Sequence, residues 1–160
     1  MIIKRDVYDY ADNIYRYATY EKQDLDTELE KQPKDGYNHR LLAEKENRLR
    51  QLRAIIEALE EVKTRLGFVD GRGLILINDR MELSQESIED AENYLLGKKE
   101  MLAYCQKYYR HLLTCPSSDL YEGELEEYKQ DVELLKAVVE AIEEFKKRLG
   151  LIPEIENSNK

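Results

Sequence analysis

Hydrophobic residues recur every three or four positions over four long stretches of the chain, which is the spacing that places them on one face of an α-helix. The stretches run from Met1 to Gln32, from about Asn38 to Leu66, from Ser84 to about Leu113, and from about Tyr121 to Leu149. Polar and charged residues fill the positions between them, as expected where the opposite face meets water. The pattern therefore predicts four amphipathic helices of ~28 residues, each ~42 Å long.

Each predicted helix carries an apolar seam that should face a neighbouring helix. In chain order, the seam residues are Val7, Ala11, Ile14, Ala18, Leu25 and Leu29; Leu42, Leu49, Leu52, Ile56, Leu59 and Leu66; Ile88, Ala91, Leu95, Leu102, Cys105, Tyr109 and Leu112; and Leu125, Tyr128, Val132, Leu135, Val139, Ile142 and Leu149. The third helix, which Ser84 can cap, has a second apolar line beside its seam. We expect this helix to contact two neighbours.

The second and fourth predicted helices resemble each other in sequence. Residues 49–68 and 132–151 align at an offset of 83, with ten of the twenty positions identical, and both helices end in Arg-Leu-Gly. Pro33 and Pro116, which break the chain before these helices, align at the same offset. We interpret the two copies as an internal duplication of one αα-hairpin.

The expected fold is all-α, with two tandem αα-hairpins at residues 1–67 and 84–150 and a C-terminal tail at 151–160. Between the hairpins, residues 68–83 hold Gly71 and Gly73 between two apolar runs, a pattern typical of a small β-hairpin or an apolar lid. The hairpins could form a four-helix bundle within one chain. Alternatively, they could stay apart in an extended coiled-coil-like assembly that pairs with a second chain.

Charge and cysteine content restrict the partners and the compartment. The net charge is −9, from 34 acidic and 25 basic residues, whereas general binders of nucleic acid or anionic membranes need clustered lysine and arginine. The N-terminus lacks the pattern of a signal peptide, and no stretch approaches the ~20 apolar residues of a membrane helix. We therefore expect a cytoplasmic protein with Cys105 and Cys115 as free thiols and with a basic partner.

Paired glutamates on two predicted helices are candidates for binding a metal ion. Glu57 and Glu60 lie three residues apart on the second helix, and Glu86 and Glu89 lie three apart on the third. Residues three apart share a helix face, and hard divalent ions prefer clustered carboxylates. The pattern resembles the E-x-x-E and E-x-x-D motifs by which all-α MazG-like nucleotide pyrophosphohydrolases hold Mg²⁺, although Glu89 stands where that family has aspartate. The alternative is a solvated face whose glutamates pair with nearby basic residues.

The third predicted helix carries a basic segment within an acidic chain. Its cations are Lys99, Lys107, Arg110 and His111. Because Tyr104 and Tyr108 lie at the edge of this segment, aromatic faces beside cations could bind a nucleotide or another small anion. Alternatively, these cations offset the negative charge of the fourth helix.

Tyrosine is unusually frequent, with 12 residues in a chain that has no tryptophan. Tyrosine is enriched at protein interfaces and tolerates exposure when no partner is bound. The interaction candidates on the flanks of the seams are Tyr8, Tyr15, Tyr17, Tyr20, Tyr104 and Tyr108. The sequence therefore predicts a non-enzymatic protein-protein interaction module without a cofactor, present as a homodimer. Its expected partner is a basic or nucleic-acid-binding protein, for which it could serve as an adaptor or an inhibitor.

Overall fold

A computed structural model describes residues 1–31, 39–115 and 122–151 of the chain. Its helices are α1 (Arg5–Lys31), α2 (His39–Leu66), α3 (Gln85–Thr114) and α4 (Glu122–Leu149), which confirms the all-α prediction. The first helix begins at Arg5 rather than at Met1. The predicted breaks at Pro33 and Pro116 and the C-terminal tail beyond Leu151 lie outside the described residues.

The helices of both hairpins pack against each other within one chain. Helices α2 and α4 contact each other, and each of them also contacts both α1 and α3, so that α1 and α3 lie on opposite sides of a central pair. An ion pair joins the two central helices, because Arg50 Nη2 lies 2.6 Å from Asp131 Oδ1. This arrangement is the one expected of a four-helix bundle.

The hydrophobic core is concentrated in the half of the helices that lies towards the C-terminal ends of α2 and α4. The predicted seam residues Leu49, Leu52, Leu59, Leu66, Leu135, Val139, Ile142 and Leu149 are all buried there. Ile55, Ala58, Val62, Val138 and Phe145 are buried as well, although the predicted seams did not include them. A single seam underestimates the buried face of α2 and α4 because each packs against three other helices. None of the described helices is both long and apolar enough to span a bilayer.

Two short antiparallel strand pairs lie at the same end of the molecule. Strand β1 (Ile2–Lys4) pairs with β4 (Arg80–Glu82), while β2 (Val69–Asp70) pairs with β3 (Gly73–Leu74). The β2–β3 pair is the small hairpin that the glycines of this segment predicted. The β1–β4 pair was not predicted, because a strand of three residues is too short to show a periodicity.

The β1–β4 pair covers the C-terminal ends of the two central helices. Gly67 follows α2 with φ of +87° and Gly150 follows α4 with φ of +81°, the left-handed conformation that glycine adopts at helix ends. A Cβ atom at Gly67 would lie 3.0 Å from the Met81 methyl carbon, and one at Gly150 would lie 3.4 Å from that of Met1. Met81 of β4 therefore packs on the end of α2, and Met1, which precedes β1, packs on the end of α4.

Helix α3 begins as the sequence predicted. Ser84 is its N-cap, and the Ser84 hydroxyl accepts a hydrogen bond of 3.1 Å from the Ser87 N–H. From this end, α3 runs antiparallel to α4 and presents its C-terminal half to the N-terminal half of α4. The candidate functional site lies where these two halves meet.

Candidate functional site

A row of aromatic rings joins the outer parts of α3 and α4. Tyr104 and Tyr108, one turn apart on α3, are stacked with their centroids 6.4 Å apart and their planes at 4°. The Tyr108 ring also contacts Tyr128 of α4, at a centroid distance of 4.8 Å and an angle of 59°. Tyr104 is 68% exposed, so one face of this row remains open to a partner.

Carboxylates lie directly beside these rings. Glu124, Glu127 and Asp131 share one face of α4 with Tyr128 and line an open cavity with it. Asp131 pairs with Arg50, but Glu124 and Glu127 form no ion pair within the described part of the chain. We call the six residues Tyr104, Tyr108, Tyr128, Glu124, Glu127 and Asp131 the acidic-aromatic surface.

The carboxylates and the packing of the rings affect the ionisation of Tyr128. Burial, and after it the neighbouring Tyr108 and Glu124, raise the pKa of the Tyr128 phenol above its ordinary value. Tyr128 is neutral at physiological pH, as a tyrosine ordinarily is, and the raised pKa keeps it so in more alkaline solution, where its ring retains the partial negative charge of an uncharged aromatic face.

Two of the four predicted anion-binding cations of α3, Lys99 and Arg110, lie on the side of the helix away from Tyr104 and Tyr108. Lys99 Nζ lies 3.0 Å from Glu143 Oε1 of α4, as expected if these cations offset the acidic helix. Lys107 and Arg110 are exposed. Tyr108 follows Lys99 by about two and a half turns, which places the two side chains on opposite sides of α3. Of the four cations, His111 alone contacts the aromatic row, at 6.3 Å from the Tyr108 centroid.

The tyrosines of α1 do not form one surface. Tyr8 is 2% exposed and its ring lies 4.7 Å from that of Phe68, so the interface role predicted for Tyr8 was wrong and the residue belongs to the core. Tyr17 and Tyr20 are exposed, but they lie on α1, on the opposite side of the central helix pair from α3. The helical pattern put Tyr8 on the flank of a seam, whereas the β2–β3 segment brings Phe68 over that flank and buries it.

A charged cluster lies inside the bundle between α1 and α2. Lys63 Nζ is 2.7 Å from Asp12 Oδ1, and both side chains are less than a tenth exposed. The Tyr8 hydroxyl donates a hydrogen bond of 3.5 Å to Asp12, and the ring of Tyr15 lies 3.8 Å from Lys63 Nζ. The Tyr15 hydroxyl in turn donates a bond of 2.7 Å to Glu60. The charged and hydrogen-bonding groups of this cluster are paired with one another, which favours a structural role.

A second buried lysine, Lys146 of α4, was not expected from the helical pattern. Lys146 is buried and contacts Glu92 of α3, and burial lowers the pKa of its ammonium group. Lysine is rarely buried in proteins, so the helical pattern alone would place both Lys63 and Lys146 in solvent. The alignment of the two copies does offer a clue, because these two lysines occupy matching positions in it.

Tyr8 and Tyr15 should make the fold sensitive to alkali. Burial, and after it the hydrogen bond to Glu60, raises the pKa of Tyr15 from 10.0 to about 12, and burial also raises the pKa of Tyr8. The unfolded chain ionises these phenols near their ordinary pKa while the folded chain does not. Their contribution to stability is therefore complete below pH 10 and is lost as the pH rises above it, for Tyr15 between pH 10 and about 12.

Urea denaturation at increasing pH measures this effect. Tyr15→Phe should reduce the loss of stability above pH 10, whereas Tyr17→Phe on the exposed side of α1 should leave it unchanged. The comparison between variants is informative because all of them keep Lys146, whose lowered pKa makes stability rise with pH up to about its ordinary pKa of 10.5. Identical pH profiles for Tyr15→Phe and the parent protein would contradict the expected role of Tyr15.

Two of the four glutamates predicted to bind Mg²⁺ accept hydrogen bonds from other side chains. Glu60 accepts one from Tyr15, and Glu89 accepts one of 3.3 Å from Gln85. Arg65 lies between α2 and α3 at 2.8 Å from both Glu61 and Asp90, the neighbours of these two glutamates in the sequence. Across residues 1–31, 39–115 and 122–151, no three His, Cys, Asp or Glu side chains are grouped so that they could hold a metal ion.

Comparison with known proteins identifies no relative of the chain. No family model, no curated protein and no solved structure matches it.

Proposed function

We propose that the protein is a non-enzymatic helical module that binds a basic partner protein through the acidic-aromatic surface. The observation that carries this proposal is a row of rings that runs from the exposed Tyr104 through Tyr108 to Tyr128, which lines a cavity with Glu124 and Glu127, two carboxylates without ion pairs in the described chain. Tyrosine supplies a large contact area at low entropic cost, and the carboxylates favour a positively charged partner. The same carboxylates disfavour nucleic acid, whose phosphates they would repel.

The acidic surface supports a role as an adaptor or as an inhibitor of a nucleic-acid-binding protein. Carboxylates held on a rigid helix can occupy the positions where phosphates would otherwise bind. The partner would then lose access to its nucleic acid in proportion to the occupancy of this surface. The homodimer stays a separate prediction, which light scattering tests directly by counting chains.

The proposed duplication has support from the ends of α2 and α4. The Phe68 N–H donates to the Lys63 carbonyl at 2.9 Å, and the Leu151 N–H donates to the Lys146 carbonyl at 2.9 Å. All four residues align at the offset of 83, and both lysines are buried. The hydrogen bonds are those of any helix that ends in a left-handed glycine, but matching buried charges are more specific than a shared helical composition.

The acidic partners of these lysines extend the likeness to α1 and α3. Lys63 pairs with Asp12 of α1, and Lys146 contacts Glu92 of α3. Each acid directly follows a fully buried alanine, Ala11 or Ala91, whose small side chain permits close helix approach. Aligning Asp12 with Glu92 gives α1 and α3 an offset of 80 residues, three fewer than the offset of 83 between α2 and α4.

Site-specific photo-cross-linking tests the proposed function. A photoreactive phenylalanine derivative is introduced at Tyr104 or, as a matched control, at the exposed Tyr20 of α1. Each protein is irradiated in a lysate of its host, and the captured proteins are identified by mass spectrometry. We expect the Tyr104 probe to capture basic proteins, with less capture as salt rises from about 0.1 M to about 1 M. Equal capture by both probes, or capture of mainly acidic proteins, would contradict the proposal.

The two alternative functions make different predictions for thermal stability. A magnesium-dependent pyrophosphohydrolase should be stabilised by Mg²⁺ in a manner that Glu57→Gln removes, and a nucleotide binder should be stabilised by nucleotides in a manner that Arg110→Ala removes. Under the proposed function, neither Mg²⁺ nor nucleotides should change the melting temperature. A ligand-dependent rise that the matching variant abolishes would favour the corresponding alternative.

A further inference from the structure

Arginine residues of this chain already bind where a tyrosine ring meets carboxylates. The guanidinium carbon of Arg65 lies 5.0 Å from the Tyr94 ring centroid, while Arg65 nitrogens pair with Glu61 and Asp90 at 2.8 Å. This combination of an aromatic face and acidic groups satisfies both the charge and the planar surface of a guanidinium.

The equivalent arginine of α4 repeats this arrangement on another part of the molecule. The guanidinium carbon of Arg148, which aligns with Arg65 at the offset of 83, lies 4.5 Å from the ring centroid of Tyr10. Arg148 Nε also lies 3.1 Å from Glu144 Oε1. Two sites of this composition are thus each filled by an arginine from within the chain.

The acidic-aromatic surface has the same composition but is not filled in this way. Its aromatic part has an open ring face at Tyr104, and its acidic part has two carboxylates, Glu124 and Glu127, that make no ion pair among the described residues. Arg50 reaches one end of the acidic part of the surface, where it pairs with Asp131 at 2.6 Å. A guanidinium can therefore approach these carboxylates, and Glu124 and Glu127 have no ion pair among the described residues that would keep a second one away.

We infer that the acidic-aromatic surface receives one arginine side chain of the partner protein, with the guanidinium against the tyrosine rings and its N–H groups on Glu124 and Glu127. This inference rests on the proposed function and adds the chemistry that the partner must supply. An arginine is favoured over a lysine because its planar group both stacks on a ring and forms paired hydrogen bonds with carboxylates. An anionic ligand is disfavoured because three acidic side chains line the cavity beside Tyr128.

Nuclear magnetic resonance titrations of the full-length, ¹⁵N-labelled protein test this inference. The probes are three capped tripeptides with a central arginine, lysine or glutamate, together with spermidine as a free small cation. We expect the arginine peptide to shift the amide signals of Tyr104, Tyr108, Glu124 and Tyr128, with about threefold tighter binding than the lysine peptide. The glutamate peptide should leave these signals in place.

Variants with matched controls locate the site. Glu124→Gln combined with Glu127→Gln should weaken arginine binding by about fivefold or more, and Tyr104→Ala by about threefold. Glu133→Gln serves as the control for charge, because Glu133 is exposed and projects from the opposite side of α4 to Glu124. Tyr20→Ala serves as the control for an exposed tyrosine. Neither control should change the affinity.

Several results would overturn the inference. One is that the glutamate peptide shifts the amide signals as much as the arginine peptide does. Another is that the Glu124→Gln and Glu127→Gln double variant binds the arginine peptide with unchanged affinity. The third is that spermidine binds more tightly than the arginine peptide. If the Tyr104 probe still cross-links a basic protein in any of these cases, the proposed function stands and only the arginine is wrong. If the arginine peptide binds but no basic protein cross-links, the proposed function fails instead.

Discussion

Asp12→Ala should lower the free energy of unfolding by about 3–5 kcal/mol, because it leaves the ammonium group of Lys63 buried without a counter-charge. The two side chains are only 8% and 9% exposed, and their charged atoms lie 2.7 Å apart. The substitution also removes the acceptor of the Tyr8 hydroxyl, which is buried in the core. Urea denaturation at neutral pH measures the effect directly.

Two further variants show whether the buried charge is the cause. The double variant Asp12→Leu with Lys63→Met removes both charges, so its stability should lie much closer to that of the parent protein. Asp9→Ala removes a carboxylate that is 40% exposed and pairs with Arg16 at 3.4 Å, and should cost less than about 1 kcal/mol. A similarly small loss of unfolding free energy for Asp12→Ala would contradict the conclusion that Asp12 compensates the buried charge of Lys63.

Phe68→Ala should lower the free energy of unfolding by about 3–5 kcal/mol, because it removes a fully buried aromatic ring. The Phe68 ring has no exposed area and lies 4.7 Å from that of Tyr8, with which it closes the strand-bearing end of the core. The large effect would show that the segment between the hairpins is part of the folded core. Thermal and urea denaturation both report it.

Ile77→Ala is the matched control within the same segment. Ile77 is 74% exposed, so its truncation should change stability by no more than about 0.5 kcal/mol. If Phe68→Ala had an equally small effect, the segment from residue 68 to residue 83 would act as a separable lid over the bundle, which was the other interpretation of its sequence.

The helices could be predicted from the sequence because their signals are local. Apolar spacing located all four, and Gly67 and Gly150 marked the ends of α2 and α4 at Leu66 and Leu149. The pairing of β1 with β4 could not be predicted, since Ile3 lies opposite Met81 only in the folded chain. No local pattern reports a contact between residues so far apart.

The candidate site was only half predictable for the same reason. Helical spacing placed Tyr104 and Tyr108 together on α3, but it could not say which residues of α4 lie beside them. Tyr128 was assigned to a seam, and its contact with Tyr108 depends on how the two helices are rotated against each other. The rings therefore lie beside carboxylates of α4, whereas the sequence alone suggested the cations of α3.

The affinity of the partner captured at Tyr104 tests most directly whether the acidic-aromatic surface is a protein-binding site. Isothermal titration calorimetry would compare the parent protein, the Glu124→Gln and Glu127→Gln double variant, and the Glu133→Gln control. We predict that the double variant binds about tenfold more weakly and the control binds as the parent does. Equal affinity of all three proteins for that partner would contradict a function based on this surface.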